Sequence, residues 1–504
     1  LFCTSTDSRT YNLYRYHQQE LYRAVQFELP GKTMASLYAT LADHIATSID
    51  KGIYLPGDRL PGVRSASEQE GVSPATVVSA YHHLESEGYI EARPRSGYYV
   101  RPRLQSQLKE PRTSTPSKRP QPVTGQSLVL RLIQNLNNPD IIQLGANAPD
   151  HSYLPASAVE RAVNKVMRDN PKWNASYQAP PGLPSLRQQI AKRMSANGCI
   201  THPDHITITS GCQEAIFLTL KSITQPGDIV AIESPTYYGL LQVIDTLGLK
   251  ALEIPTDPRR GISVDALQLA LEQWPIKACV VVPNFSNPVG ALMPDDAKQE
   301  LVSLINRFEH VTLIEDDIYG DLYFEGRRPG LLKSLDAKGN VVHCASFSKT
   351  LSPALRIGWI ASESMSETLQ YQKLVSSIAT NTLGQIAVSE LLASGQYDKH
   401  LKSLRLKLSQ SVSKILEKVV QYFPSEVKAS RPAGGMSLWI ELAKGMNTTE
   451  IANLALEHRI SIAPGAIFSS SPNKYAHCLR LNCALPWSAS VEQALRTLGE
   501  LANP

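Results

Sequence analysis

The segment SFSKTLSPALRIG, residues 346–358, holds the densest group of side chains that could do chemistry. It places Lys349 after the hydroxyls of Ser346 and Ser348 and seven residues before Arg356. Hydroxyls and a guanidinium provide well-placed donors for a phosphate. An amine beside a phosphate site suits a Schiff base with pyridoxal phosphate, so this cofactor is our first hypothesis. Most single lysines are solvated surface charges, and this segment alone leaves that alternative open.

A cofactor of this kind also needs a carboxylate for its pyridine nitrogen, and IEDDIY at residues 314–319 offers one. Asp316 lies at the end of a predicted strand, where the sites of α/β proteins gather. Its charge would keep the ring nitrogen protonated, so that the ring can accept electrons. Tyr319, three residues on, and Asn287, which follows another predicted strand, could reach the phenolic oxygen. The acidic run by itself is also compatible with an exposed acidic loop.

A third predicted strand is followed by SGCQE at residues 210–214 and then by a predicted helix. Backbone amides of Gly211, Cys212 and Gln213 would meet a phosphate at the helix N-terminus, where the first N–H groups lack helical partners. Tyr237, in SPTY, would supply an aromatic face for stacking. A Ser-Gly turn is weak evidence alone, and these segments become informative only together.

The elements that must position these residues alternate between strand and helix. Strands are predicted at 206–209, 229–232, 278–282 and 311–315, and helical patterns separate them. We therefore predict an α/β fold with a large, mostly parallel sheet. Beyond about residue 380 a helix-rich run precedes shorter strands near 436–442, which indicates a small second α/β subdomain. Large and small subdomains are placed at about 160–375 and in the remainder of 127–504.

The N-terminal part has a different pattern, with three predicted helices and a hairpin between residues 34 and 102. Apolar residues recur every four positions from Leu37 to Ile49, a second helix ends at Gly71, and a third follows Ser73 as N-cap. On the third helix we expect Val77, Val78, Tyr81 and Leu84 to face inward. Two short strands flank PRSG at 94–97. Three helices followed by a hairpin are the outline of a winged helix-turn-helix.

Residues 103–126 separate these modules and hold four prolines, five basic residues and one acidic residue. Such a segment is typical of a semi-extended linker. The total charge of +4 combines a net −2 over 34–102 with +4 in this linker. Residues 1–33, which precede the first methionine, show no clear period, and we treat them as extraneous to both modules.

Composition limits the class of protein. The chain has 504 residues, 42% hydrophobic and 19% charged, enough apolar material for about three folding units and too much for whole-chain disorder. No apolar stretch is long enough to cross a bilayer. The seven cysteines form no CxxC pair, and none lies near a histidine at metal-ligand spacing. We expect no disulfide framework, no metal site and a cytoplasmic location.

The order SGCQ, PTY, NFSNPVG, DDIY, SFSK and LRIG resembles the fold-type-I aminotransferases over roughly residues 130–500. This resemblance implies pyridoxal 5'-phosphate on Lys349, with Asp316 at the pyridine nitrogen and Tyr319 and Asn287 at the phenolic oxygen. It also implies that Lys349 and Asp316 are the catalytic pair.

The same resemblance extends to two further residues. Arg480, in LRLN at 479–482, corresponds to the arginine that grips the α-carboxylate of an amino substrate or effector. Tyr177, in YQAPPGLPSLR, corresponds to a tyrosine that reaches the phosphate of the other subunit in a homodimer. An ordinary strand-end charge and a core tyrosine are the structural alternatives.

Residues 35–101, with LPGDRLPGVR, GVSPATVVSAYHHLESEGYI and RPRSGYYV, resemble the GntR-family winged helix-turn-helix domains. The resemblance implies DNA contacts by Arg64 on the second helix, by Ser73 and Thr76 opening the recognition helix, and by Arg95, Ser96 and Gly97 in the wing. Gly62 replaces the usual serine, and the recognition helix has no lysine or arginine. A winged helix used for protein contacts is the alternative.

Together the modules resemble the MocR/PdxR group of bacterial transcription regulators. That resemblance implies a head-to-tail homodimer that binds a double-stranded DNA operator and senses an amino acid or amine through pyridoxal phosphate. An aminotransferase with an accessory DNA-binding domain is the rival hypothesis, since no catalytic group is missing. A cofactor-free scaffold that only dimerises the DNA-binding part is a third; it predicts no effect of Lys349→Ala.

The basic linker should add sequence-independent affinity for DNA phosphates. Replacing Lys109, Arg112, Lys118 and Arg119 with glutamine should weaken binding to duplex DNA. The slope of the logarithm of the binding constant against the logarithm of the salt concentration should become shallower by about 0.9 for each lost phosphate contact. Affinity measured over a salt series checks this. An unchanged slope would show that the linker charges do not reach the DNA.

Overall fold

We describe a computed structural model of the chain. It covers residues 34–51, 53–55, 57–93, 96–100, 108–123, 129, 130, 132, 134, 138–169, 178–471 and 473–503, and the statements below concern these residues. The chain divides into two compact units, Leu1–Arg103 and Leu104–Pro504.

The first unit contains three helices and a β-hairpin: α1 (Met34–Asp50), α2 (Val63–Glu70), α3 (Pro74–Ser86), β1 (Ile90–Arg93) and β2 (Gly97–Val100). The two strands are antiparallel, with Ile90 opposite Val100. Val77, Tyr81 and Leu84 are fully buried on α3, and the predicted inward face is confirmed at these positions. Val78 is only half-buried, because a position one residue after Val77 is turned by about 100° on a helix and Ala80 takes the inner place.

The predicted boundaries between α2 and α3 are confirmed. Gly71 ends α2 in the left-handed conformation, with φ 65°. The Ser73 side chain accepts a hydrogen bond from the Thr76 amide, and Pro74 occupies the first turn of α3. The sequence therefore sets the start of the recognition helix by local chemistry alone.

The second unit contains the remaining elements. Its strands are β3 (Ile142–Gln143), β4 (Ile206–Thr209), β5 (Ile229–Ser234), β6 (Lys250–Asp257), β7 (Gly261–Ile262), β8 (Ile276–Val281), β9 (Thr312–Asp316), β10 (Val341–Ser346), β11 (Gly358–Ala361), β12 (Lys428–Ala429), β13 (Ser437–Glu441), β14 (Ile460–Ser461), β15 (Ala463–Pro464) and β16 (Cys478–Asn482). Its helices are α4 (Ala156–Asp169), α5 (Pro184–Ala196), α6 (Cys212–Ile223), α7 (Tyr238–Thr246), α8 (Val264–Gln273), α9 (Asp295–Ile305), α10 (Ser366–Ser377), α11 (Thr382–Ala393), α12 (Gln396–Tyr422), α13 (Thr448–Glu457) and α14 (Ala489–Leu501).

The large sheet has the strand order β4-β11-β10-β9-β8-β5-β6-β7 among the described residues. Pairs from β10 through β6 are parallel, whereas β11 is antiparallel to both of its neighbours. Alternate residues of β8 enter different cores, Ala278 and Val280 on one face and Cys279 and Val281 on the other. Helices therefore cover both faces, as a mostly parallel sheet requires.

A smaller antiparallel sheet with the strand order β12-β13-β16-β15 lies in the same unit. It packs with α12 and α14 around its own apolar core, which includes Leu438, Ile440, Leu479 and Leu481. The small sheet therefore has an apolar core of its own. The bounds given above for a large and a small subdomain stay a prediction.

Residues 108–123, which we call the strap, lie within the second unit and pack against it. Lys109 forms a parallel bridge with Lys428 of the small sheet, and Gln121 forms an antiparallel bridge with Ala251 of β6. Val123 is buried in a core of the large sheet. This part of the predicted linker is extended as expected, and it is docked on the protein. Its basic side chains at positions 109, 112, 118 and 119 remain exposed.

Candidate functional site

One cavity lies at the carboxyl edge of the large sheet. Because parallel strands end at the same edge, residues that follow β4, β5, β8, β9 and β10 meet there. The cavity is lined by Asn147, Cys212, Gln213, Ile216, Tyr237, Tyr238, Val282, Asn287, Asp316, Ile318, Tyr319, Ser348, Lys349 and Arg356. Residues spread over more than 200 positions of the chain thus share one site.

Lys349 is the amine of this cavity. Its Nζ donates a hydrogen bond to the backbone oxygen of Asn147. Burial lowers the pKa of Lys349 to about 8, and the positive charges of Arg480 and Arg356 act in the same direction. A substantial fraction of the amine is therefore neutral near pH 7 to 8, as a nucleophile must be.

Asp316, the last residue of β9, is the acidic side chain among the described lining residues. Its Oδ1 accepts from the Cys212 thiol at 3.1 Å and from the Ile318 amide at 3.3 Å. Burial raises the pKa of Asp316 to about 6, while these two donors favour the ionised form. The carboxylate is therefore still charged at neutral pH, and both contacts fall on Oδ1. Its Oδ2 is left for a cationic partner.

The opposite end of the cavity has the properties of an anion site. Helix α6 begins at Cys212 after Gly211, and no side chain caps its first turn. Arg356 donates from Nη2 to the Ser210 oxygen at 2.6 Å, and its Nη1 lies 3.4 Å from Ser348 Oγ. A Cβ at Gly211 would come within 2.5 Å of Arg356 Nη2, so only glycine permits this approach. Ser346, just outside the lining, supports Ser348 through a 2.8 Å hydroxyl contact.

Among the buried side chains with an unpartnered polar atom in the described part of the chain, two are in or beside the cavity. Both amide atoms of Asn287 and the Nε and Nη1 of Arg480 are in this state. Arg480 is fully buried on β16, beside the cavity, and only its Nη2 has a partner, the Gly145 oxygen at 2.6 Å. Buried polar groups are normally satisfied, since each unpaired group costs about 1–3 kcal/mol and a charged group costs more. These orphaned atoms indicate that a polar, anionic ligand completes the site.

Asn147 connects three parts of the site and was missed by the sequence reasoning. Its Nδ2 donates to Tyr319 Oη at 2.8 Å, and its Oδ1 accepts from Ser437 Oγ of the small sheet at 3.2 Å. With its backbone oxygen on Lys349, it holds the phenol and the amine together. A lone asparagine in QLGANAPD follows no strand of the large sheet, and nothing in its spacing marks it.

The loop that carries Lys349 is held from behind by α12. Tyr397 Oη lies 2.8 Å from Thr350 Oγ1 and 2.9 Å from Asp321 Oδ2. His400 Nε2 lies 2.8 Å from the Thr350 backbone oxygen. These buried contacts fix the residue next to the lysine, so the amine enters the cavity from a rigid base.

The cavity therefore brings together most of the residues expected to hold a cofactor. Gly211, Ser346 and Arg480 lie beside the lining residues, and Tyr177 lies outside the described residues. Besides Asn147, the structure adds Tyr238, Ile216, Val282 and Ile318 to the wall. Their apolar or aromatic character gave no signal distinct from an ordinary core.

In the first unit, the expected DNA contacts have different environments. Arg64 is exposed on α2. Ser73 is also exposed, but its Oγ lies 2.8 Å from Thr76 Oγ1, and Thr76 is only 7% exposed. These two hydroxyls therefore cap the recognition helix. A DNA contact by either of them would be an additional role.

The wing is braced by side chains that the sequence reasoning did not select. A Cβ at Gly97 would lie 3.1 Å from Arg59 Nε, so Arg59 packs directly on this glycine. Ser96 Oγ lies 2.7 Å from Tyr99 Oη, and the Arg93 guanidinium lies 4.2 Å from the Tyr99 ring centre. Arg95 lies outside the described residues. Arg59 belongs to the LPGDR turn of the motif, but nothing in the sequence marked its contact with the wing.

The described residues contain no group of three or more His, Cys, Asp or Glu side chains arranged to hold a metal ion. None of their helices is long and apolar enough to span a membrane.

Family models match both parts of the chain. Residues 139–498 match the model described as aminotransferase class I and II, and residues 37–100 match the one described as bacterial regulatory proteins, gntR family. Relatives of similar length include the uncharacterized HTH-type transcriptional regulators YjiR and YdcR of Escherichia coli (strain K12). Both are 39% identical over 92% of this chain and 98% of their own length.

Solved structures match the second unit. Kynurenine aminotransferase from Pyrococcus horikoshii is 27% identical, with a TM-score of 0.70, over 75% of this chain and 95% of its own. LysN, the α-aminoadipate aminotransferase of Thermus thermophilus, solved with N-(5'-phosphopyridoxyl)-L-leucine, is also 27% identical, with a TM-score of 0.70, over 76% of this chain and 95% of its own. The predicted fold class, a winged-helix region before a fold-type-I aminotransferase domain, is confirmed.

Because burial and two arginines lower the pKa of Lys349, its reactivity should rise with a midpoint near pH 8. Competitive acetylation of the full chain, with Lys349 read by mass spectrometry across a pH series, measures this midpoint. Arg480→Gln removes a nearby positive charge and should move the midpoint upward, whereas Arg480→Lys should keep it close to the wild-type value. A wild-type midpoint near the ordinary lysine value of about 10.4 would contradict this account.

Proposed function

This chain belongs to the HTH-type transcriptional regulators that join a gntR-family domain to a class I and II aminotransferase domain, and we propose that it senses an amino compound through bound pyridoxal phosphate and changes its DNA binding in response. The observation that carries the proposal is Arg480, a fully buried cation with two unpartnered nitrogens beside a lysine whose amine is partly neutral. A ligand that offers both an amine and a carboxylate fits this pair.

The residues of the cavity fit pyridoxal phosphate. The start of α6, Ser348 and Arg356 would hold its phosphate, and Asp316 Oδ2 would meet its pyridine nitrogen. Asn287 and Tyr319 would reach its phenolic oxygen, and Tyr237 would lie against its ring. Bound there, the cofactor supplies an aldehyde that condenses with amines and a ring that withdraws electrons.

The roles of Lys349 and Arg480 follow from their surroundings. Lys349 Nζ, held by the Asn147 oxygen, can give up or take a proton near neutral pH because burial has lowered its pKa to about 8. Arg480 cannot lose its charge in this way and offers two free nitrogens to a carboxylate. The proposed effector is therefore an α-amino acid, whose carboxylate would contact Arg480, or a simple amine, which would bind without that contact.

On the DNA side, we assign Arg64, Ser73, Thr76 and the wing residues Arg95, Ser96 and Gly97 to the operator interface. The exposed Arg64 and the N-terminal end of α3 suit phosphates, and the exposed face of α3 suits base edges in the major groove. A head-to-tail homodimer in the cytoplasm, with Tyr177 completing the phosphate site of the other subunit, belongs to the same proposal.

The rival function, aminotransferase activity, is favoured by the completeness of the site. Lys349 and Asp316 line the cavity, Arg480 is buried beside it, and burial lowers the pKa of the lysine to about 8. Incubation with amino-acid and keto-acid pairs separates the two functions. Steady-state product would favour the enzyme, whereas at most a single half-reaction would favour the sensor.

The sensing model predicts that effector and operator affect each other's affinity by the same factor, because coupling between two sites is reciprocal. Titrating the purified protein with amino acids and amines, and following the visible absorption of the bound cofactor, should identify one compound class. Its affinity should then change about 5- to 150-fold when operator DNA is present. Identical affinities with and without operator would rule out the sensing model.

Asn147 should contribute to cofactor affinity through Tyr319. Asn147→Ala removes the hydrogen bond to Tyr319 Oη and should weaken pyridoxal phosphate binding about tenfold, the effect of about one hydrogen bond. Ser437→Ala removes only the contact to Asn147 Oδ1 and serves as the matched control. Equal affinities for the two variants, measured by equilibrium titration, would show that the Tyr319 contact does not position the cofactor.

A further inference from the structure

The strap, residues 108–123, follows the DNA-binding unit in the chain and connects the small sheet to the large sheet. We propose that it is a clamp that a ligand spanning both sheets releases at its small-sheet end. This inference rests on the proposed function, because the ligand is the one that Arg480 and Lys349 would share. It names the segment through which that ligand regulates the DNA-binding unit.

The small-sheet end of the strap is short. The Ala429 amide of β12 donates to the Lys109 oxygen at 3.1 Å, and Arg431 Nη2 donates to the Leu108 oxygen at 2.8 Å. Leu108 also packs against the core of the small sheet. Among the described residues of the strap, these contacts involve Leu108 and Lys109.

The large-sheet end is held at more points along β6. The Ser114 amide donates to the Thr256 oxygen at 3.1 Å, and the Thr256 amide donates to Ser114 Oγ at 2.9 Å. Gln121 and Ala251 exchange two backbone hydrogen bonds of 2.9 Å each. Paired backbone bonds and the buried Val123 make this the firmer end.

Glu110 stands between the two ends. It accepts a hydrogen bond from Arg259 Nε, which follows β6 of the large sheet, and lies 4.0 Å from Arg431 Nε, which follows β12 of the small sheet. The Arg259 side chain is 76% exposed, so water screens this pair, and the longer pair with Arg431 is weaker still. A small displacement of β12 relative to β6 would therefore break the small-sheet side first.

The site is connected to that side through one sheet. Arg480 on β16 is paired with Trp439 on β13, and Ile440 of β13 is paired with Ala429 on β12. Arg480 is thus two strands, about 10 Å, from the edge where the strap is attached. A ligand held by Arg480 and by the cofactor residues of the large sheet pulls on the two layers together. The small sheet and this face of the large sheet pack on different sets of apolar residues, so a ligand bound across them acts on their relative position.

Release changes how far the DNA-binding unit can reach. From Val100 to Leu108, eight residues of extended chain span at most about 26–29 Å. If residues 108–112 detach, the first firm attachment is Thr113, and thirteen residues span at most about 43–47 Å. The gain, about 17 Å, is about half of the ~34 Å between half-sites one helical turn apart. Strap release would therefore alter which half-site spacings a dimer can occupy.

Two stable probes test the inference on the full-length protein. N-(5'-phosphopyridoxyl)-L-alanine carries a carboxylate for Arg480, whereas pyridoxamine 5'-phosphate fills the same cavity without one. Hydrogen-exchange mass spectrometry would follow the Ala429 amide at the small-sheet end and the Gln121 and Ala251 amides at the large-sheet end. With the alanine conjugate we expect the Ala429 amide to exchange about tenfold faster than with pyridoxamine phosphate, and the other two to stay unchanged.

Variants of residues in the strap and in contact with it provide a second test. Glu110→Gln and Arg431→Gln each remove one charge of the weak link and should speed exchange at Ala429 without any probe. Glu426→Gln removes the charge of an exposed glutamate close to β12 and serves as the matched control, with exchange expected at the wild-type rate.

The outcomes separate this inference from the proposed function. If fluorescence titration shows that both probes bind but Ala429 exchanges equally with each, the clamp is wrong and the proposed function stands. Wild-type exchange at Ala429 in Glu110→Gln and Arg431→Gln would also overturn the clamp. Failure of both probes to bind would overturn the proposed function, and this inference with it.

Discussion

The structure depends on the burial of positive charge in one cavity. Lys349 and Arg356 line it, Arg480 is fully buried beside it, and Asp316 is the carboxylate among the described lining residues. Burial lowers the pKa of Lys349, and repulsion from Arg480 and Arg356 lowers it further. A phosphate at one end and a carboxylate at the other would relieve that repulsion. The same imbalance therefore makes the lysine reactive and selects an anionic, amine-bearing ligand.

This excess of positive charge persists because structural elements hold each charged group in place. Asp316 ends a central strand, Arg356 adopts a positive φ of 53° against Gly211, and Arg480 is paired on both sides within the small sheet. Asp316 and Arg480 are buried and cannot turn away to water without breaking backbone pairing or core packing, whereas Arg356 is exposed and is held by its hydrogen bonds to Ser210 and Ser348. A site built from two sheets also responds to their relative position, and this is the property that a sensor needs.

The sequence predicted the elements well where local chemistry decides them. The N-cap at Ser73, the stop at Gly71 and the buried strands around Asp316 follow from side-chain hydrogen bonding, backbone freedom and apolar runs, and the structure agrees at each position. Val78 was misplaced because an apolar residue on a short helix can lie at the border of the buried face. The strap was predicted as an extended segment, but its docking on β6 and β12 was not, since edge pairing depends on which strands are left unpaired.

The sequence by itself determined the chemical groups of the site and the mostly parallel character of its sheet, because motif spacing and the parallel arrangement bring those groups to one edge. It also determined the DNA-binding outline, whose caps and turns are local. Only the tertiary structure decided which nitrogens of Arg480 stay free, that Asn147 links Lys349 to Tyr319, and that Glu110 stands between two sheets. Those facts depend on distances between segments far apart in the chain, and such distances are set by packing and not by sequence spacing.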